Sequence, residues 1–179
     1  MELTHLKGFY NVTMDELAVR AGISKRTIYR YFKSKDEIIE AVIDTFLENM
    51  GREIDKILAA GKNPEEIFSD IVANFYQKGR VILNPLVLQD LRKHYPQYWR
   101  KIDKFRIKKI EKVIETFLIY SNKEDACNFN PQIVTGVVLA SIHAVLNPEF
   151  IISNGLTFNE VLEQLLGIFK HGILNSNKK

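Results

Sequence analysis

The residues of this chain best suited to bind a partner are crowded into one short stretch. Between Arg20 and Lys35 stand Arg20, Lys25, Arg26, Arg30, Lys33 and Lys35, with no Asp or Glu among them, and Thr27, Tyr29 and Tyr31 are interleaved. Lysines, threonines and tyrosine hydroxyls can donate to phosphate oxygens, and an arginine can read guanine through paired hydrogen bonds. The whole chain carries a formal charge of only +3, so the positive field is concentrated here. Charge alone would also fit a solvated basic helix with two partly covered tyrosines. The residues around the stretch decide between the two readings.

Thr13 is a good N-cap for "MDELAVRA", and Glu16 stands where it completes a capping box, so a short helix is predicted from about Met14 to Ala21. Gly22 ends it, and Ser24 caps a second short helix through about Phe32. Leu17, Ala18, Ala21, Ile23, Ile28 and Phe32 are then expected to form one small core, leaving Lys25, Arg26, Thr27, Tyr29, Arg30 and Tyr31 outside. That layout is a helix-turn-helix, whose second helix enters the DNA major groove. Arg26 is the expected base reader. Tyr29 and Tyr31 each carry a hydroxyl on a rigid ring, suited to phosphate or to the thymine methyl.

The rest of the chain reads as helix. Asn63-Pro64, Asn84-Pro85 and Asn130-Pro131 each place a capping side chain before a proline at the first helical position. Tyr95-Pro96 and the Thr157/Glu160 pair mark two further starts. Apolar residues recur at spacings of three and four, and no sustained alternation points to a sheet. The expected fold is all-α, with about nine helices. The run from Ile133 to Leu146 is shorter than the ~20 apolar residues a membrane span requires. With no signal peptide pattern and a single cysteine, Cys127, the expectation is a cytoplasmic protein without disulfides.

The ordered stretch "GFYNVTMDELAVRAGISKRTIYRYFKSKDEIIEAV" resembles the DNA-binding domain of the TetR (tetracycline-repressor) family of bacterial regulators, matched from Gly8 to about Val42. The resemblance implies an N-terminal DNA-binding domain of three helices, 1–34, and a helical ligand-binding and dimerisation domain, 35–179. It also implies that Thr13 and Lys35 touch phosphates and that Ser24, Lys25, Arg26, Thr27, Tyr29, Arg30 and Tyr31 fall on DNA-facing positions. Arg26 stands where many members have glycine, so its base preference is not inherited. Only "MELTHLK" precedes Gly8, where the family usually has most of a first helix. A shortened first helix would lower DNA affinity, and a helical interaction protein that has lost DNA binding is the alternative reading.

Gly136, Ala140 and Ala144 form a stripe of small residues that would let another helix approach closely. By the resemblance, they join Leu162, Leu165, Leu166 and Phe169 in a four-helix interface between two copies of the chain. An ordinary core helix is the other reading of that stripe. Effector contacts are expected among Tyr76, Leu91, His94, Tyr98, Trp99, Phe117 and His143, aromatic and polar groups that could line a pocket between helices. At helical spacing such residues are often simply core. His143, in an apolar helix, is expected to be buried and therefore to need a partner. The partners expected are a near-palindromic operator in double-stranded DNA, a small apolar or amphipathic effector and a second copy of the chain, with no membrane, cofactor or metal. His5, His94, His143, His171 and Cys127 form no metal-ligand spacing, and no phosphate loop or nucleophile motif is visible. The chain therefore reads as a regulator, most simply a repressor, rather than an enzyme.

Overall fold

The computed structural model describes residues 7–78, 84–121, 130–169 and 172. Within them the chain forms nine α-helices and no strand. They are α1 (Met14–Arg20), α2 (Lys25–Tyr31), α3 (Lys35–Ala59), α4 (Pro64–Lys78), α5 (Pro85–His94), α6 (Pro96–Ser121), α7 (Pro131–Val145), α8 (Pro148–Ser153) and α9 (Phe158–Phe169).

Each helix start follows from local chemistry. Asn84 and Asn130 accept hydrogen bonds from backbone N–H groups in the first turns of α5 and α7, ahead of Pro85 and Pro131. Asn147-Pro148 carries the same signal and starts α8, a helix that the sequence reading passed over. At α9, Thr157 Oγ1 accepts from Glu160 N at 3.2 Å, and the Glu160 carboxylate accepts from Thr157 N at 2.7 Å. The helix is described as far as Phe169.

Three apolar clusters form among the described residues. The first lies under the helix-turn-helix: Met14, Ala18 and Ile28 are buried, with Leu17, Phe32 and Ile38 packed against them. Ala21 and Ile23, expected in this core, lie outside it, and Ile23 is 39% exposed. The turn explains why. Gly22, at φ +66°, donates to Val19 O and Ile23 donates to Ala18 O, so the residue after the glycine serves through its backbone while its side chain faces solvent. Met14 and Ile38 fill the space instead.

The second cluster joins the N-terminal unit to the middle of the chain: Phe9, Ile39, Ile43, Leu47, Val87, Leu91, Tyr95, Tyr98 and Ile102 are all buried in it. Because Ile38 packs under the helix-turn-helix while Ile39 and Ile43 pack here, α3 belongs to both cores. Helices α3 and α6 run parallel. Tyr98 Oη donates to Asp36 O at 3.2 Å, Lys101 pairs with Asp44, and Lys109 Nζ lies 2.8 Å from Asp55 Oδ1, in the same order along both helices. The third cluster, Leu146, Ile151, Val161, Leu162 and Leu165, packs α7, α8 and α9 together.

Candidate nucleic-acid interface and effector region

Helix α2 is anchored from beneath by Ile28 and capped by Ser24, whose hydroxyl accepts from Thr27 N at 3.1 Å. Ser24 Oγ and Thr27 Oγ1 also share a hydrogen bond of 2.8 Å, so both hydroxyls fix the start of the helix. The outer face then carries Lys25, Arg26, Tyr29, Arg30 and Tyr31, all exposed. Their side chains differ in how free they are. Lys25 Nζ lies 2.9 Å from Asp15 Oδ2, a hydrogen bond that raises the lysine pKa. Arg30 Nη2 donates to Tyr31 Oη at 3.2 Å and the guanidinium sits 5.0 Å from the Tyr31 ring centroid. Among the described residues, nothing engages the Arg26 side chain. A charge with no internal partner at the second position of an exposed, firmly capped helix can be presented to a groove.

Thr13 and Lys35, the two expected phosphate contacts, both have partners in the chain itself. The Thr13 hydroxyl donates to Glu16 Oε2 at 3.0 Å and accepts from Glu16 N, closing the capping box of α1. Glu16 is drawn down from the ordinary 4.5 to about 2, first by its hydrogen bond from Lys7 and then by those from Thr13. A depressed carboxyl contributes stability above its unfolded value, which is lost as pH falls through the folded one. The α1 cap is therefore expected to loosen between pH 4.5 and about 2. Amide exchange of α1 measured across that range checks this, and Glu16→Gln should flatten the profile.

Lys35 Nζ donates to Tyr10 O at 2.7 Å and lies 5.6 Å from the Tyr10 ring centroid. Tyr10 in turn stacks on His94, with ring centroids 3.8 Å apart and planes inclined by 18°. Its backbone N–H donates to Asp90 Oδ2 at 2.8 Å. Gly8, at φ +72°, lets the chain pass this point: a Cβ there would stand 2.1 Å from Asp90 Oδ2.

These contacts revise the expected effector residues. Leu91 is fully buried among Phe9, Ile39 and Ile43, Tyr98 is buried with its hydroxyl on Asp36 O, and His94 faces Tyr10. All three join the N-terminal unit to the middle of the chain. Burial, with help from the Asp36 and Asp90 carboxylates, pushes the neighbouring Tyr95 hydroxyl up to about 12. His143 is also a correction, since its side chain is 50% exposed rather than buried. It approaches Asp103 Oδ1 to 3.8 Å, and Arg106 Nη1 lies 3.1 Å from the same oxygen. Arg106 also sits 5.9 Å from the Trp99 ring. Burial lowers the pKa of Arg106, and Asp103 opposes that shift. Trp99 and His143 thus converge on an Asp103–Arg106 pair that the sequence reading did not select, although its i, i+3 spacing was visible. Phe117 is half-buried on α6, and the Tyr76 side chain and Cys127 lie outside the described residues. An open groove of about 620 Å³ between α3 and α6 is lined by Leu47, Gly51, Phe105 and the Lys101 and Lys109 ion pairs. None of the expected effector residues borders it.

The expected interface between copies divides in two. Gly136, Ala140 and Ala144 are exposed on α7 beside Ile133 and Val137, which are 65% and 53% exposed. Leu162 and Leu165 are instead buried in the third core of their own chain, with Leu166 and Phe169 packed against them. Ile168, 67% exposed, is the apolar side chain that α9 presents outward.

Comparison with known proteins places this geometry. Residues 1–42 match the family described as "Bacterial regulatory proteins, tetR family". The chain is 30% identical over 169 residues to the uncharacterized HTH-type transcriptional regulator YvaF of Bacillus subtilis (strain 168), covering 93% of this chain and 87% of that one. Among solved structures, a transcriptional regulator from Cytophaga hutchinsonii ATCC 33406 superposes with a TM-score of 0.67 at 20% identity, over 96% of this chain and 93% of the other. A regulator from Aquifex aeolicus VF5 gives 0.66 at 22% identity, over 94% and 92%. At these identities the structural likeness speaks for the fold.

Proposed function

Because the chain belongs to the TetR family of bacterial regulatory proteins, we propose that it is a cytoplasmic, ligand-responsive repressor that binds a near-palindromic operator as a homodimer. The observation that carries this reading is the face of α2. A capped helix seated on its own small core exposes Arg26, Tyr29, Arg30 and Tyr31 together. Such a face suits a major groove, with Arg26 on a base edge and the tyrosines on phosphate or the thymine methyl.

One recognition helix reads one half-site, and two copies related by a two-fold axis read two half-sites about one turn of DNA apart. The exposed stripe of Ile133, Gly136, Val137, Ala140 and Ala144, with Ile168 on α9, supports a dimer joined through α7 and α9. Small residues at the crossing permit close approach, and the larger apolar ones supply buried area. For the effector, an apolar or amphipathic small molecule, support comes from the meeting of α6 and α7, where Trp99, Asp103, Arg106 and His143 gather. The effector acts only if it binds the released conformer more tightly than the DNA-bound one. A shift of α6 would be felt in α3, its parallel neighbour, and so at the helix-turn-helix.

Selection of bound sequences from a random duplex pool tests this reading, with the mass of the recovered complex measured by sedimentation. A palindrome bound by two protomers is the expected result. Sequence-independent binding, or none from a folded chain, would defeat it and favour a helical interaction protein.

A further inference from the structure

Lys35 reaches the DNA-facing end of α3, but nothing on α3 itself fixes its ammonium. We propose that Asp90 and His94 of α5 are positioning residues for the phosphate contact of Lys35, acting on it through Tyr10. This rests on the DNA-binding reading above and adds to it a defined route between the two halves of the chain.

Four contacts make the route continuous. Asp90 Oδ2 accepts from Tyr10 N at 2.8 Å, and the His94 ring stacks on the Tyr10 ring at 3.8 Å. Tyr10 O accepts from Lys35 Nζ at 2.7 Å, and the same ammonium lies 5.6 Å from the Tyr10 ring. Tyr10 is thus held at its backbone and its ring by one helix, and it holds Lys35 by the same two parts. Apolar packing does not require this arrangement, since Phe9 already seats the segment in the second core. What the polar contacts add is orientation.

An ammonium on a four-carbon stem has many rotamers and three donors. Tyr10 O takes one donor and limits the rotamers, leaving two donors for a phosphate oxygen. Ordering that side chain before DNA arrives reduces the entropy lost on binding. The same geometry makes the lysine sensitive to α5, because a displacement of α5 on the scale of a hydrogen bond would break the Asp90 contact and slide the stacked rings apart.

The test uses the full chain and the operator recovered from the pool, with binding measured as a function of salt. Lys35→Met is expected to weaken binding about tenfold and to reduce the log–log salt slope by about 0.9, the loss of one phosphate contact. His94→Ala and Asp90→Ala should each weaken binding roughly threefold and lower the slope in the same direction. His94→Phe, which keeps a ring for the stack, and Asp90→Asn, which keeps an oxygen for the Tyr10 N–H, should recover most of what the alanines lose. In a Lys35→Met background, either alanine should add less than about 1.5-fold, because its effect passes through a lysine no longer there. Thermal unfolding of each variant separates this from loss of fold.

Additive losses in the double variants, or weaker binding at an unchanged salt slope, would overturn the proposal and leave the DNA-binding reading intact. If the wild-type chain recovers no operator, both fall together.

Discussion

Leu91→Ala is expected to lower the stability of the fold by about 3 to 4 kcal/mol, the range for truncating a leucine in a packed core that does not collapse. Leu91 is 0% exposed and sits between Phe9 from the N-terminal unit, Ile39 and Ile43 from α3, and Tyr95 and Tyr98. Rings and a parallel helix pair surround the site, so the hole left by three heavy atoms is poorly filled by relaxation. For a chain of this size the loss corresponds to roughly 10 °C in Tm. Urea unfolding at one fixed protein concentration measures it, since the proposed pairing of two copies would make apparent stability vary with concentration. Operator affinity should fall as well, because the same cavity loosens Phe9 and with it the seat of Tyr10. A cost below about 1 kcal/mol would mean that Leu91 borders open space, as its expected place in an effector pocket requires.

That assignment shows where the sequence stopped being informative. Leu91 and His94 do share one face of α5, with Tyr98 in the first turn of α6, and the spacing made that face plain. What the face meets is set by Phe9 and Tyr10, some 80 residues earlier in the chain, as the Tyr10–Asp90 contact shows. No local pattern carries that information. The same limit appears at α9, where one apolar helix turns Leu162 and Leu165 into its own core and Ile168 outward. Periodicity reports that two faces exist and is silent on which one belongs to a partner.

Interactions closed within a few residues were legible. The Thr13/Glu16 and Thr157/Glu160 boxes form as expected, as do the Asn-Pro starts and the turn at Gly22. The error over Ile23 is instructive because the turn was placed correctly and only the direction of one side chain was not. The helix-turn-helix was readable for the same reason: caps, turn and buried residues fall within about twenty positions. His143 was misjudged because its neighbours on α7 are apolar, yet that apolar stripe is itself on the surface of the chain.

Arg26→Ala is expected to weaken binding to the preferred operator by about 1 to 3 kcal/mol, the value of one good bidentate base contact. Its neighbours supply the contrast. Lys25 is already held by Asp15, so its transfer to a phosphate exchanges one ion pair for another, and Lys25→Ala should cost much less. Arg30 is occupied with Tyr31. Among the described residues, Arg26 is the basic side chain of α2 that is exposed without an internal partner, and the Ser24–Thr27 cap fixes the first turn that carries it. A guanidinium placed in that way gains its hydrogen bonds without giving up others. The loss should therefore fall on one base position in each half-site: repeating the pool selection with the variant should return the same palindrome with that position degenerate. Lys35→Ala, by contrast, should weaken all sequences alike and reduce the salt slope. An equal loss at every position in the Arg26 variant would show that this side chain binds the backbone, and base reading would then pass to Tyr29 and Thr27.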